Sequence, residues 1–418
     1  MEARVTAALT DWRSALDDLF GELTSLHSHD NPSLTVEDRC LLLALAVRQS
    51  APMPDIARSA DGLLRVIGHT PANRSGDATS SPMPLALAGR GMRRRIHDVG
   101  ASVDTQDTVI FDRPAYGRAV LEYVWDNYDT MREPLLTWLL QTAESTDLED
   151  RAVGALAELT VRHGTMDYLD TLGEIASSDS PKVLGTVMDS AVRSEHIGRL
   201  AWEALYRWAE KDAYAKAVIT LCQRILEDTS ATTVMAKRAM VRLRRVAHTT
   251  GDPATRNRVL EAFTKIARDA AGATRLSDEV RHWQQGKVTA RSGSLAFLAL
   301  MAADEDDAPR LLTAPPQDID VPRAVHDLLS DAETATEIIP RLTTWIRACA
   351  ADPTAYTQLR ERLLPALRGH NMFEAGMNLM QELRGITTTD GVSVADDFYR
   401  HLVDPRLQAV FPLKGDAA

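Results

Sequence analysis

The sequence predicts a mainly α-helical protein, in which a winged-helix-like N-terminal domain precedes an irregular α-solenoid of HEAT-like helical pairs. Three observations support this fold class. Aromatic residues make up only 5% of the chain while Ala and Leu are abundant, a balance that favours helices over strands. Apolar residues recur at spacings of three and four along most of the chain. At 418 residues, the chain also exceeds one ordinary core unless it is elongated or divided.

An amphipathic helix is expected within residues 1–34, because apolar side chains there fall three or four residues apart. These side chains are Val5, Leu9, Trp12, Leu16, Leu19, Leu23 and Leu26. The turn formers from His27 to Pro32 end this helix. His27, His29 and Asp30 are also metal-ligand types. A histidine near the last carbonyls of a helix is favourable without a metal, so we predict no metal site.

Residues 35–114 have the element order of a winged-helix domain. Thr35-Val36-Glu37-Asp38 resembles a capped helix start, and a second helix follows the first. Residues 68–84 are rich in Pro, Gly, Ser and Asn and are expected to form a mobile loop. A third helix then precedes two short runs, 101–103 and 108–111, which predict a β-hairpin. In a winged helix the third helix is the recognition helix.

That third helix carries a basic cluster which is a candidate contact for DNA, for phosphate or for a protein partner. Its members are Arg90, Arg93, Arg94, Arg95 and His97. Arg90, Arg94 and His97 are spaced to share one helical face. Such a face suits phosphate contacts, and the alternative is a solvated basic face or one that docks on an acidic protein surface. Nearby aspartates dilute the charge, so DNA binding ranks behind protein binding.

From residue 115 onward, helical stripes recur with short polar breaks, and a pair of helices spans roughly 30–40 residues, the range of solenoid repeats. No tetratricopeptide or ankyrin consensus is present, so irregular HEAT-like pairs fit best. Stacked pairs bury each stripe and create an extended curved surface. Trp202, Tyr206, Trp208 and Tyr214 are candidates to line this interaction surface. The alternative is that they pack between helices, as aromatic residues at helical spacing usually do.

An acidic and proline-rich stretch interrupts the helical pattern. Asp304-Glu305-Asp306-Asp307 precedes several prolines and is interpreted as a solvated loop in preference to a cation or basic-partner site. The expected organisation is an N-terminal helix at 1–34, a winged-helix-like domain at 35–114, a helical-repeat region at 115–303, a break at 304–322, a C-terminal helical region at 323–405 and a tail at 406–418.

The composition of the chain argues against several classes of function. The net charge of −12 argues against a nucleic-acid surface over the whole chain. Cys40, Cys222 and Cys349 are too far apart in sequence for a disulfide framework or a zinc pattern, which indicates a reducing compartment. The longest apolar run, Cys40–Val47, is far shorter than the roughly 20 residues of a membrane span. A soluble, cytoplasmic protein without membrane contact is therefore expected.

Motifs of catalysis and nucleotide binding are missing from the sequence. Gly286-Lys287 lacks the glycine spacing of a phosphate-binding loop, and neither a Gly-x-Ser-x-Gly elbow nor a His-Glu-x-x-His motif occurs. We therefore predict no catalytic residue, no cofactor and no bound nucleotide. Side chains distant in sequence are still able to converge, which keeps a helical enzyme with an unrecognised site as a third alternative.

One segment resembles a known family. The residues that carry the resemblance are Val109-Ile110-Phe111, Pro114, Tyr116, Ala119-Val120-Leu121, Tyr123-Val124-Trp125, Arg132, Leu135-Leu136 and Trp138-Leu139. They resemble the region of large actinobacterial STAND-type NTPases in which a winged helix leads into a helical-repeat arm behind the ATPase core. The resemblance covers residues 10–215 and is specific near 108–140. It implies a sensor or signalling switch, often in conflict or defence settings.

The chain departs from that family because the ATPase motifs are missing, so nucleotide binding does not carry over. The leading hypothesis is a non-enzymatic protein-interaction module, a scaffold or sensor in a bacterial signalling or defence-type system, with a protein as its partner. The second hypothesis is a winged-helix transcriptional regulator that binds DNA. The helical enzyme ranks last.

Overall fold

Helices dominate the computed structural model of the chain, which confirms the mainly α-helical fold class. The chain divides into two compact units, Met1–Leu205 and Tyr206–Ala418. This division falls inside the segment 115–303 that the sequence assigns to one helical-repeat region. The structure describes residues 12, 14–21, 34–68, 90–143, 149–176, 181–302, 304–305, 308–309, 311, 318–369 and 372–403.

Several segments for which the sequence makes a prediction lie outside these described ranges, wholly or in part. Most of the expected mobile loop at 68–84, the turn with His27, His29 and Asp30, and the tail at 406–418 lie outside the described residues. Of the N-terminal helix predicted within 1–34, Trp12 and residues 14–20 are described, and they are helical.

The first unit contains most of the strands. Its elements are α1 (Val36–Arg48), β1 (Ser50–Pro52), α2 (Met53–Val66), α3 (Met92–Asp98), β2 (Ala101–Val103), β3 (Thr108–Phe111), α4 (Tyr116–Asn127), a 3-10 turn (Asp129–Met131), α5 (Arg132–Ala143), α6 (Glu149–His163), α7 (Met166–Ala176), α8 (Pro181–Arg193) and α9 (Gly198–Trp208), which crosses the division.

Helix α1 lies at the centre of the first unit's core. Thr35 caps it as predicted, because its side chain accepts the backbone N–H of Asp38 while the Asp38 carboxylate accepts the backbone N–H of Thr35. From Cys40 to Val47 every residue is buried, as expected for a helix that is apolar on all sides. This helix packs against α2 and α4. The run that is too short to span a membrane is therefore a core helix.

The three strands form one antiparallel sheet in the order β1-β3-β2. Val109 of β3 pairs with Ala51 on one side and with Val103 on the other. The predicted hairpin is therefore present. Strand β1 was not predicted, although the sequence contains a reason for it: a residue before proline is pushed to extended backbone, and Pro52 is tolerated on an edge strand.

The second unit is a succession of packed helices. Its elements after α9 are α10 (Asp212–Glu227), α11 (Thr233–Thr249), α12 (Pro253–Ala267), α13 (Ala270–Gln284), α14 (Ala290–Met301), β4 (Asp304–Glu305), β5 (Ala308–Pro309), α15 (Val321–Ser330), α16 (Ala332–Cys349), α17 (Pro353–Leu363), a 3-10 turn (Leu364–Leu367), α18 (Phe373–Glu382) and α19 (Val394–Val403).

Near neighbours in sequence pack together in this unit: α10 contacts α11 and α12, α12 contacts α14, α13 contacts α14, and α15 contacts α16. The acidic stretch begins with a short strand pair, β4 with β5, where the sequence predicts a loop. Among the described residues, no helix combines the length and the apolar character that crossing a membrane requires.

Candidate functional site

Two arginines of the predicted basic cluster turn inward. The Arg90 Nη2 atom lies 2.5 Å from Asp38 Oδ2, and the Arg95 Nε atom lies 2.6 Å from Asp38 Oδ1. Asp38 belongs to α1 and is fully buried. Both arginines therefore join the start of α3 to the first turn of α1, and they are held away from the contact role that their sequence position suggests.

The ionisation of Asp38 follows from this pairing. Burial alone raises the pKa of the carboxyl, since it removes a charge from water. The hydrogen bonds from Arg95 and Thr35, together with the positive charges of Arg95 and Arg90, outweigh burial and lower the pKa below its ordinary value. Asp38 is consequently an ionised anchor with both oxygens engaged.

The outer part of the basic cluster is exposed but paired. Arg93 contacts Asp107 at 2.6 Å, and Arg94 contacts Asp98 at 3.0 Å. His97 is exposed, with its Nδ1 atom 3.9 Å from Asp98. A phosphate would have to compete with these aspartates for the same guanidinium groups. The face that the sequence predicts is present, but its charge is largely neutralised within the unit.

The four predicted surface aromatics separate into two groups. Trp202, Trp208 and Tyr214 are buried, and the rings of Trp208 and Tyr214 stack with centroids 5.2 Å apart. These three side chains pack within the helical layers and cannot form an exposed interaction surface, which corrects that part of the prediction. Only Tyr206, at 37% exposure, reaches solvent among the four.

A basic surface that the sequence reasoning missed surrounds Tyr206. Helix α11 carries Lys237, Arg238, Arg242, Arg244 and Arg245. The sequence holds a signal for it, because no Asp or Glu occurs between Asp228 and Asp252 although acids outnumber bases by 59 to 47 in the chain. Apolar periodicity reports the buried side of this helix and carries no information about the basic side that faces solvent.

The two faces of α11 differ sharply. Its inner face is apolar and buried against α10, and its members are Ala236, Ala239, Met240, Leu243, Val246 and Ala247. The outer face combines apolar and basic side chains. We call it the α11 face and define it as Val234, Lys237, Arg238, Val241, Arg242 and Arg245.

Both valines on the α11 face contact solvent, with Val234 at 57% and Val241 at 36% exposure. Lys237 and Arg238 are exposed as well, and neither forms an ion pair with any residue that the structure describes. Positive charge on this helix is therefore incompletely neutralised, and it is interleaved with apolar area. Such mixed patches are typical of surfaces that bind another molecule.

Tyr206 organises one end of the α11 face. Its ring centroid lies 4.0 Å from the guanidinium carbon of Arg245 and 5.4 Å from that of Arg242. Arg245 also donates a hydrogen bond to the Tyr206 hydroxyl at 2.6 Å and pairs with Glu210. Arginines held against a ring lose rotamer freedom before any partner arrives, so this end of the surface is preorganised.

The second unit also contains a cavity of about 370 Å³. The charged side chains that line it are Asp252, Arg256, Arg291, Asp327, Asp331 and Glu333. Asp252 and Asp331 accept hydrogen bonds from the first-turn N–H groups of α12 and α16, while Arg256 pairs with Glu333. Helix capping and ion pairing account for most of these side chains. Burial raises the pKa of Asp327, which has no capping role.

Similarity to known proteins adds no constraint on these sites. A scan against protein-family models, a search of curated proteins and a search of solved structures each gave no match. The geometry and charge of the α11 face and of the α3 cluster are therefore the observations that a function has to explain.

Proposed function

We propose that this chain is a non-enzymatic protein-interaction module, which acts as a scaffold or sensor in a bacterial signalling or defence-type system. The observation that carries the proposal is the α11 face, where two exposed valines lie beside Lys237 and Arg238, which form no ion pair with any residue that the structure describes. Leaving such a surface open is useful when a partner with matching acidic and apolar groups covers it. The proposed partner is a protein, and the role involves no nucleotide or cofactor.

The architecture fits this role. We interpret the order α1-β1-α2-α3-β2-β3, with its three-stranded sheet, as a winged-helix-like domain, and the packed helices beyond it as HEAT-like pairs. Both interpretations are compatible with the proposed resemblance to the arm of STAND-type NTPases, which is the basis for proposing a signalling role. Helical pairs supply rigid surfaces for binding and require no catalytic centre.

Affinity capture with the full chain as bait tests the function. We expect one protein from the organism that encodes the chain to be retained, and the complex to elute ahead of the free chain in size-exclusion chromatography. A chain that retains no protein and instead hydrolyses a nucleotide or an ester contradicts the proposal.

A second candidate, a DNA-binding regulator, is favoured by the exposed Arg93, Arg94 and His97 on α3, the position of a recognition helix. It requires salt-sensitive binding of duplex DNA that Arg93→Ala with Arg94→Ala weakens. The aspartate pairs and the net charge of −12 oppose it. Absence of duplex binding even at low salt eliminates this candidate.

A further inference from the structure

We infer that the segment seated on the α11 face is an acidic amphipathic helix of the partner protein, lying along α11 with its apolar residues over Val234 and Val241. This inference rests on the proposed function and names the chemistry of the partner. It follows from the spacing, the charge and the preorganisation of the side chains on this face.

The spacing of the two exposed valines favours a helix as the bound segment. Val234 and Val241 are seven residues apart, which places them on the same side of α11 about 10 Å from each other. Two apolar side chains of a second helix, also seven residues apart, reach both valines when the helices run side by side. An extended segment repeats its side chains every two residues and does not match this interval.

The positive charge of the α11 face favours acidic residues of the partner around those apolar contacts. Lys237 and Arg238 lie between the two valines, and Arg245 follows Val241 by one helical turn. On the neighbouring elements, Glu210 pairs with Arg245 and Glu279 pairs with Arg244, which leaves Lys237 and Arg238 for groups supplied from outside. Carboxylates placed beside the apolar residues of the partner satisfy both cations.

Arg242, which the Tyr206 ring holds in place, supports the same conclusion through its electrostatics. Burial is the main cause that lowers the pKa of Arg242, and the nearby charge of Arg238 also lowers it, while Cys222 and Tyr206 act in the opposite direction. The positive charges on this face therefore repel one another. A carboxylate that approaches between Arg238 and Arg242 relieves that repulsion.

The valines favour a protein segment over nucleic acid. A phosphate backbone offers no apolar group to cover Val234, the more exposed of the two. The net charge of −12 also repels a polyanion at long range, whereas a short acidic helix carries apolar area that compensates for repulsion.

A designed three-heptad peptide is the probe, with leucine at every seventh position and glutamates on either side of each leucine. Its fluorescence anisotropy is measured with the full chain at about 50 and 200 mM salt. We expect it to bind about tenfold more tightly than a peptide of the same composition whose leucines are scattered around the helix. Equal affinity for both peptides, or tighter binding of a DNA duplex than of the patterned peptide, overturns the inference.

Substitutions on the α11 face test whether the patterned peptide binds there. Lys237→Glu with Arg238→Glu is expected to weaken binding of the patterned peptide by about tenfold or more, since two attractive charge pairs become repulsive. Val234→Ser with Val241→Ser removes the apolar contacts and should reduce the preference for the patterned peptide. The matched control is Lys216→Glu with Lys265→Glu, exposed lysines of α10 and α12, which changes the net charge equally and should retain binding.

Loss of binding in the control variant, or unchanged binding in the α11 variant, refutes the assignment. The test also separates this inference from the proposed function. If Lys237→Glu with Arg238→Glu still captures the cellular partner at full yield, the module binds proteins through another surface and only the inference fails. If the unmodified chain captures no protein, the proposed function fails.

Discussion

Buried carboxylates are the most informative single residues of this protein. Asp38 in the first unit accepts hydrogen bonds from two arginines. Glu279 in the second unit accepts hydrogen bonds from Nε and Nη2 of Arg244, at 2.8 and 2.6 Å, and from the Ser292 hydroxyl at 2.6 Å. Each joins helices that are distant in sequence. Removing one partner of such a group is costly because the other charge stays in a poorly solvated site.

The Asp38→Asn substitution tests the cost of removing the buried carboxylate that pairs with Arg90 and Arg95. The substitution keeps the shape of the side chain but leaves Arg95 without a counter-charge and Arg90 with only Asp98, so we expect a loss of about 3 kcal/mol in the free energy of unfolding. Urea denaturation followed by circular dichroism measures it. The matched control is Asp107→Asn, which breaks only the exposed pair with Arg93 and should cost less than about 1 kcal/mol. Similar losses in both variants would contradict the anchoring role.

The lowered pKa of Asp38 also predicts a pH dependence. Because the folded-state pKa lies below the ordinary value of 3.8, the unfolded chain takes up the proton first as pH falls. The stabilisation by Asp38 is therefore complete above pH 3.8 and is lost as pH falls from there through the folded-state pKa. We expect the stability difference between the unmodified chain and Asp38→Asn to shrink over that interval in acid titrations. A difference that stays constant would show that the charge of Asp38 is not its source.

At the scale of elements, close helix packing depends on a small residue. Gly293 lies inside α14 at the contact with α13, and a Cβ atom there would approach the Trp283 side chain more closely than 3.0 Å. The packing of these two helices therefore requires the missing side chain. Glycine costs up to about 1 kcal/mol of helix propensity relative to alanine, which the packing offsets.

Gly293→Ala is consequently expected to destabilise the second unit by about 1–3 kcal/mol despite its better helix propensity, because Trp283 has to move. Thermal unfolding measures the effect. Gly376→Ala on α18 is the control, since a Cβ atom added there would meet no atom of another described element within 4 Å, and it should be neutral or stabilising. A stabilised Gly293→Ala variant would mean that α13 and α14 are not closely packed.

For the whole molecule, the division into Met1–Leu205 and Tyr206–Ala418 separates the two buried anchors. Asp38 pairs with Arg90 and Arg95, whereas Glu279 pairs with Arg244, so the described ion pairs share no residue. Changes at independent sites usually add in their effect on stability.

We therefore expect the losses of Asp38→Asn and Glu279→Gln to add within about 0.5 kcal/mol in the double variant. Denaturant titrations of the two single variants and the double variant form the thermodynamic cycle. A coupling energy clearly above that value would show that the two anchors do not act independently.

The sequence by itself determined the helical class, the start of α1 and the β2–β3 hairpin. These features depend on interactions between near neighbours, such as the Thr35–Asp38 capping box and the short β-branched run at 108–111, and local patterns report them directly. It also contained the acid-free run of α11, although apolar periodicity alone did not reveal it.

Only the tertiary structure decided how the candidate residues are used. Arg90 and Arg95 meet Asp38 across 52 and 57 residues of sequence, and β1 pairs with β3 across more than 50 residues. The burial of Trp202, Trp208 and Tyr214 and the exposure of Tyr206 depend on which helix covers each ring. The physical reason is that helical spacing fixes the face on which a side chain lies, whereas packing between distant segments decides whether that face is covered.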